Sequence, residues 1–73
     1  MPRKVRELRA ELRQAGFVKL KGRAKGSHTF WRHPAGPVHA TLSGADSADA
    51  QAYQEKHVAA ALAAVVQHEE RSR

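Results

Sequence analysis

Apolar residues near the start of the chain recur at Val5, Leu8, Leu12 and Ala15, at intervals of three, four and three. That spacing lines one face of an α-helix. Arg6, Glu7, Arg9, Glu11 and Arg13 fill the solvated face between them. Pro2 is tolerated in a first turn, and Gly16 stands where a helix stops in a left-handed cap. A first helix is predicted over residues 3 to 15. Beyond Gly16 the period shortens. Residues 17 to 21, Phe-Val-Lys-Leu-Lys, read as a strand, and residues 22 to 26, Gly-Arg-Ala-Lys-Gly, as a basic turn. Residues 28 to 33 contain Thr29, Phe30 and Trp31, types that favour a pleated surface, and end at Pro34. The stretch Pro34-Ala35-Gly36-Pro37 is a turn by composition. From Val38 to Leu42 apolar and polar residues alternate, which turns Val38, Ala40 and Leu42 toward a core.

After a loop at residues 43 to 45, Asp46 and Ser47 are both suited to cap a helix. The Ala-rich run over residues 48 to 67 lacks Gly and Pro and brings Val58, Leu62, Val65 and Val66 to one side. Residues 68 to 73 are expected to fray. The order is α-β-β-β-α in a single domain over residues 1 to 73. It predicts an α+β fold: a three-stranded antiparallel meander with both helices on one face, because neither layer buries its apolar side alone. The expected core is Val5, Leu8, Leu12, Phe17, Phe30, Val38, Leu42, Val58, Leu62 and Val65.

Charge sharpens this picture. The chain carries a formal +6, and residues 1 to 45 hold ten of the thirteen Lys and Arg against two acids, Glu7 and Glu11. A basic half on a small domain is the footprint of a polyanion binder, since each cation near a phosphate releases condensed counterions. Charge that merely keeps the protein dissolved is an equally weighted reading. There is no cysteine, so neither a disulfide framework nor a thiolate metal site is available. No run is long and apolar enough to span a bilayer, and the N-terminus lacks the apolar stretch of a signal peptide, so a cytoplasmic protein without a membrane partner is expected.

Candidate chemistry narrows by residue type. The five histidines, His28, His33, His39, His57 and His68, form no His-x-His or His-Glu-x-x-His pattern, so neither a metal nor another cofactor is expected. Glu7 and Glu11 lie on an exposed helical face and read as surface ion-pair partners. What remains is a histidine beside a basic, glycine-flanked turn. RNA supplies its own nucleophile, the 2′-hydroxyl, so cleavage needs a proton acceptor, a proton donor and cations around the phosphorane. His28 is the candidate catalytic group. Gly26 lets backbone approach a phosphate, Ser27 adds a hydroxyl, and Arg23, Lys25 and Arg32 bring positive charge, which makes these five the candidate RNA-binding residues. A turn histidine without a catalytic role is the competing reading. Trp31 has strand parity opposite to Phe30. With Phe30 in the core it faces solvent, able to stack on a base or anchor an interface; with the parity reversed it is core.

The run Gly26-Ser27-His28-Thr29-Phe30-Trp31-Arg32-His33-Pro34 resembles the signature of the HicA toxin family: glycine, small residue, histidine, two variable positions, aromatic, then a histidine-proline turn. Gly16-Phe17 after an amphipathic first helix is similar to that family's helix exit. The resemblance implies a double-stranded-RNA-binding-like fold, a messenger RNA endonuclease activity with His28 as the catalytic histidine, and neutralisation by a HicB antitoxin. The chain departs from the family at its second helix, where Asp46, Asp49 and Glu55 replace part of the usual basic surface. A non-catalytic RNA-binding module of the same fold, or a protein-interaction domain using Trp31, are the alternatives.

Overall fold

The computed structural model describes residues 3–20 and 28–71, in which the elements are α1 (Val5–Gln14), β1 (Val18–Leu20), β2 (Thr29–Arg32), β3 (His39–Leu42) and α2 (Ala52–Arg71). The strands form one antiparallel sheet in the order β1-β2-β3. Its register sets Leu20 opposite Phe30, Val18 opposite Arg32, Thr29 opposite Leu42 and Trp31 opposite Ala40. α1 contacts β1 and α2, and α2 contacts β3, so both helices cover the same side of the sheet. This is the α+β architecture that the apolar pattern implies.

Gly16 ends α1 as expected. Its φ is 100°, its N–H donates to the Arg13 carbonyl at 3.1 Å, and the Phe17 N–H donates to the Leu12 carbonyl at 2.9 Å. These two bonds satisfy carbonyls that a helix end otherwise leaves open, and they turn Phe17 back onto Leu8 and Leu12 in the core. At the other end of α1, its orphan donors are met by the chain itself. The Val5 N–H reaches the Ala48 carbonyl at 2.9 Å, and the Arg6 N–H reaches that of Asp46 at 3.2 Å. The Glu7 carboxylate accepts from the Lys4 N–H at 2.6 Å.

That docking moves the start of the second helix. Asp46 and Ser47 do not cap it. Residues 46–50 instead lie along the beginning of α1, bridged through Lys4 and Asp49, with the Ala50 N–H on the Arg3 carbonyl at 2.7 Å. Their carbonyls serve α1 and cannot also begin α2. The helix starts at Ala52, where buried Gln54 supplies the cap: its Oε1 accepts from the Gln51 N–H at 2.8 Å and its Nε2 donates to the Ser43 carbonyl at 2.8 Å. At its far end α2 continues past residue 67 to Arg71. His68 rests against the turn after β2, so closely that a Cβ on Gly36 would come within 2.7 Å of its ring.

Val5, Leu8, Leu12, Phe17, Leu42, Val58 and Val65 are buried as expected, and Val38 and Leu62 are partly buried against them. Val66 is exposed. The correction falls on β2. Trp31, only 1% exposed, occupies the core, and Phe30 is half-buried on the opposite face. A strand offers one face to the helices, and a shift of one residue exchanges every side chain between faces. Small Ala40 sits opposite Trp31, and the indole N–H finds the Thr29 hydroxyl at 3.0 Å, so the largest apolar side chain is buried without an orphaned donor. Among the described residues no helix is long and apolar enough to cross a membrane.

Candidate functional site at the start of β2

The helix-covered face of β2 presents Thr29 and Trp31, and His33 follows in the same alternation. The Thr29 hydroxyl donates to the Leu42 carbonyl at 3.3 Å and accepts from Trp31 Nε1 at 3.0 Å and from Arg9 Nε at 3.4 Å. Arg9 also donates to the Gly44 carbonyl at 2.8 Å and pairs with the Asp46 carboxylate. One threonine thereby ties the first residue of β2 to α1, to β3 and to the loop beyond it. At the other end of the strand, Nδ1 of buried His33 accepts from the Ala35 N–H at 3.0 Å. Its proton therefore sits on Nε2, which donates to the Ala15 carbonyl at 3.0 Å. The ring meets Phe17 edge to face, with centroids 5.1 Å apart.

His28 directly precedes this anchored threonine. It is exposed, and no hydrogen bond among the described residues engages it. The two histidines that flank β2 are thus opposite in character. His33 has both ring nitrogens committed to backbone, whereas neither ring nitrogen of His28 is engaged among the described residues.

The remaining site residues divide sharply. Arg32 is exposed on the open face of the sheet, in one cross-strand row with Val18 and His39. Arg23, Lys25, Gly26 and Ser27 lie outside the described residues. Trp31 is no stacking platform, because the core closes over it and the Arg13 guanidinium stands 5.5 Å from its ring centroid, within cation–π range. The aromatic on the open face is Phe30, between Leu20 and Thr41. Sequence reasoning also missed the hydrogen bond between Arg9 and Thr29, the residue after His28. Helical periodicity assigns Arg9 to the solvated face, and its reach to Thr29 depends on how α1 lies on the sheet.

The charge distribution also resolves on the folded chain. Arg3 bonds Glu11 at 2.6 Å and Glu55 at 3.1 Å, Lys4 bonds Asp49 at 2.6 Å, and Arg9 pairs with Asp46. The hydrogen bond that Arg3 donates to Glu11, with support from the one to Glu55, holds its guanidinium above its ordinary pKa against the opposing effect of desolvation. Asp46, Asp49 and Glu55, which depart from the family pattern, are therefore the ionic partners that clasp α1. None of the strand residues is acidic. Arg3, Lys4 and Arg9 are therefore paired at the start of α1, while Arg32 on the open face of the sheet has no acidic partner among the described residues. Among the described residues no group of three His, Cys, Asp or Glu side chains is placed to hold a metal ion.

A family model described as HicA toxin of bacterial toxin-antitoxin matches residues 5–63, which takes in α1, all three strands and more than half of α2. The chain belongs to the HicA toxin family. Membership gives it the role of the toxin in a toxin–antitoxin pair, with an antitoxin as its partner. No curated protein and no solved structure matches the chain. On this HicA chain the matched region contains both β2 and the network that anchors its first residue.

Proposed function

We propose that the chain is an endoribonuclease that cuts messenger RNA without a metal, with His28 as its general acid–base group. The observation that carries the reading is the pairing of an exposed imidazole, open at both nitrogens, with a strand whose adjacent residue is held by three hydrogen bonds. A proton-transfer group needs this combination of fixed position and free coordination. In the reaction, the 2′-oxygen attacks phosphorus and its proton passes to His28. The bond from phosphorus to the 5′-oxygen breaks, and that oxygen takes a proton from imidazolium or water. The products are a 2′,3′-cyclic phosphate and a 5′-hydroxyl. Arg32, with Arg23, Lys25, Gly26 and Ser27 earlier in the chain, holds the phosphates. The substrate places the activity in the cytoplasm. A HicB-type antitoxin neutralises it by covering the His28 edge with acidic groups, an association that complementary charge makes fast and salt-sensitive.

The test is RNA cleavage by wild type and His28→Ala, with the fold followed by circular dichroism. General acid–base catalysis contributes about 100- to 10,000-fold, so the variant should lose most activity and keep its melting curve. Cleavage should persist in EDTA and stop on an RNA with 2′-deoxyribose at the scissile position. A folded His28→Ala protein that cuts as well as wild type refutes the assignment and leaves a non-catalytic RNA-binding module of the same fold.

A further inference from the structure

The sheet has one face under the helices and one that no described helix covers. Register places Leu20, Phe30 and Thr41 in one row across the open face, and Val18, Arg32 and His39 in the next. Two shallow depressions lie along it. One, of about 270 Å³, is bordered by Leu20, Phe30, His39 and Thr41; the other, of about 320 Å³, by Val18, Leu20, Arg32 and Pro34. Leu20 borders both, and Phe30, half-buried, lines the first. His28 stands two residues before Phe30, and Arg32 two residues after it.

We propose that this open face is a binding platform for single-stranded RNA, on which Phe30 stacks a nucleobase next to the phosphate at His28. The inference rests on the reading of the chain as an RNA-acting protein and extends it to the substrate's form and seat. Three observations favour an RNA strand as the occupant. First, residues two apart on a strand are separated by about 6.6 Å, close to the step between successive phosphates of an extended nucleic acid. His28, Phe30 and Arg32 therefore follow one another at the pace of the substrate, as imidazole, stacking ring and guanidinium. Second, the face is complementary in charge to a polyanion. Arg32 and His39 flank the aromatic, no strand residue is acidic, and Glu11, Asp46, Asp49 and Glu55 are engaged by cations at the α1–α2 clasp. Third, an aromatic on an open sheet is the device by which proteins hold unpaired bases, because a π-face accepts any base while paired bases stay hidden in a duplex. The platform selects unpaired stretches of a message and orients the 2′-hydroxyl toward His28.

The experiment measures binding of a short single-stranded RNA bearing 2′-O-methyl groups throughout, which cannot be cleaved, and of the same strand annealed to its complement. Wild type should bind the single strand more tightly. Phe30→Ala should weaken that binding by about tenfold, the usual scale for one base–aromatic stack, and leave duplex binding unchanged. Phe30→Leu keeps the apolar contact with Leu20 and should lose affinity almost as far, while Phe30→Trp should retain it. Unchanged single-strand affinity in Phe30→Leu overturns the proposal. So does equal sensitivity of single strand and duplex, or a loss confined to antitoxin binding, which would assign the face to the protein partner. The probe cannot be cut, so binding is read independently of the cleavage assignment. Stacking can fail while His28-dependent cleavage stands, and cleavage can fail while Phe30-dependent binding stands.

Discussion

The two faces of β2 are built from neighbouring residues and behave as different materials. On the helix side, Thr29, Trp31 and the following His33 have every polar group engaged by α1, β3 or the turn after the strand. On the open side, the side chains of Phe30 and Arg32, with His28 before them, make no hydrogen bond among the described residues. A four-residue strand in a small sheet is flexible by itself, since short isolated strand pairs are marginally stable in water. The saturated face removes that freedom, so the unsaturated face can meet a ligand without first being ordered. A residue that acts on substrate need not be stabilised itself if its neighbour is.

Substitutions on the two faces should separate sharply. Trp31→Ala empties a fully buried site and orphans part of the Thr29 network. Large aromatic truncations in a core cost about 3–5 kcal/mol, close to the whole stability of many small domains. Urea denaturation should show it largely unfolded in dilute buffer, whereas Phe30→Ala, one position away, should shift the midpoint only slightly. Equal losses from the two would mean that both faces are covered in solution.

Gly16→Ala should have a smaller effect. The position combines a φ of 100° with a Cβ site 2.9 Å from His33 Nε2, so alanine there meets both backbone strain and a clash with the ring that pins β2. The left-handed conformation alone costs about 1–2 kcal/mol. Introducing Gly16→Ala into a His33→Ala background should recover the steric part of the loss but not the backbone part. Strict additivity in that double-mutant cycle would remove His33 from the explanation. Asp49→Ala sits at the bottom of the scale. Its pair with Lys4 is exposed, and such pairs contribute about 0.2–1 kcal/mol, so the thermal midpoint should move by little and less still in high salt.

Local sequence determined the elements whose signals lie within a few residues. The 3.6-residue spacing from Val5 to Leu12, the Gly16 stop and the alternation from Val38 to Leu42 each report how a short segment buries one side, and each corresponds to an element in place. His28 stood out as a candidate for a similar reason: a histidine after a basic, glycine-bracketed stretch offers proton-transfer chemistry by residue type, and the resemblance to HicA toxins rests on the run that contains it.

Tertiary structure alone decided three matters. It chose which parity of β2 faces the helices, because Phe30 and Trp31 are both apolar and only the pairing of Trp31 with Ala40 and of its indole N–H with Thr29 separates them. It delayed α2 from Ala48 to Ala52, because the Asp46 and Ala48 carbonyls are drawn to the unsatisfied N–H groups of α1. And it paired Arg3, Lys4 and Arg9 with distant acids while leaving Arg32 on the open face of the sheet. Each depends on groups far apart in sequence competing for one partner, and local pattern cannot say which of them arrives there.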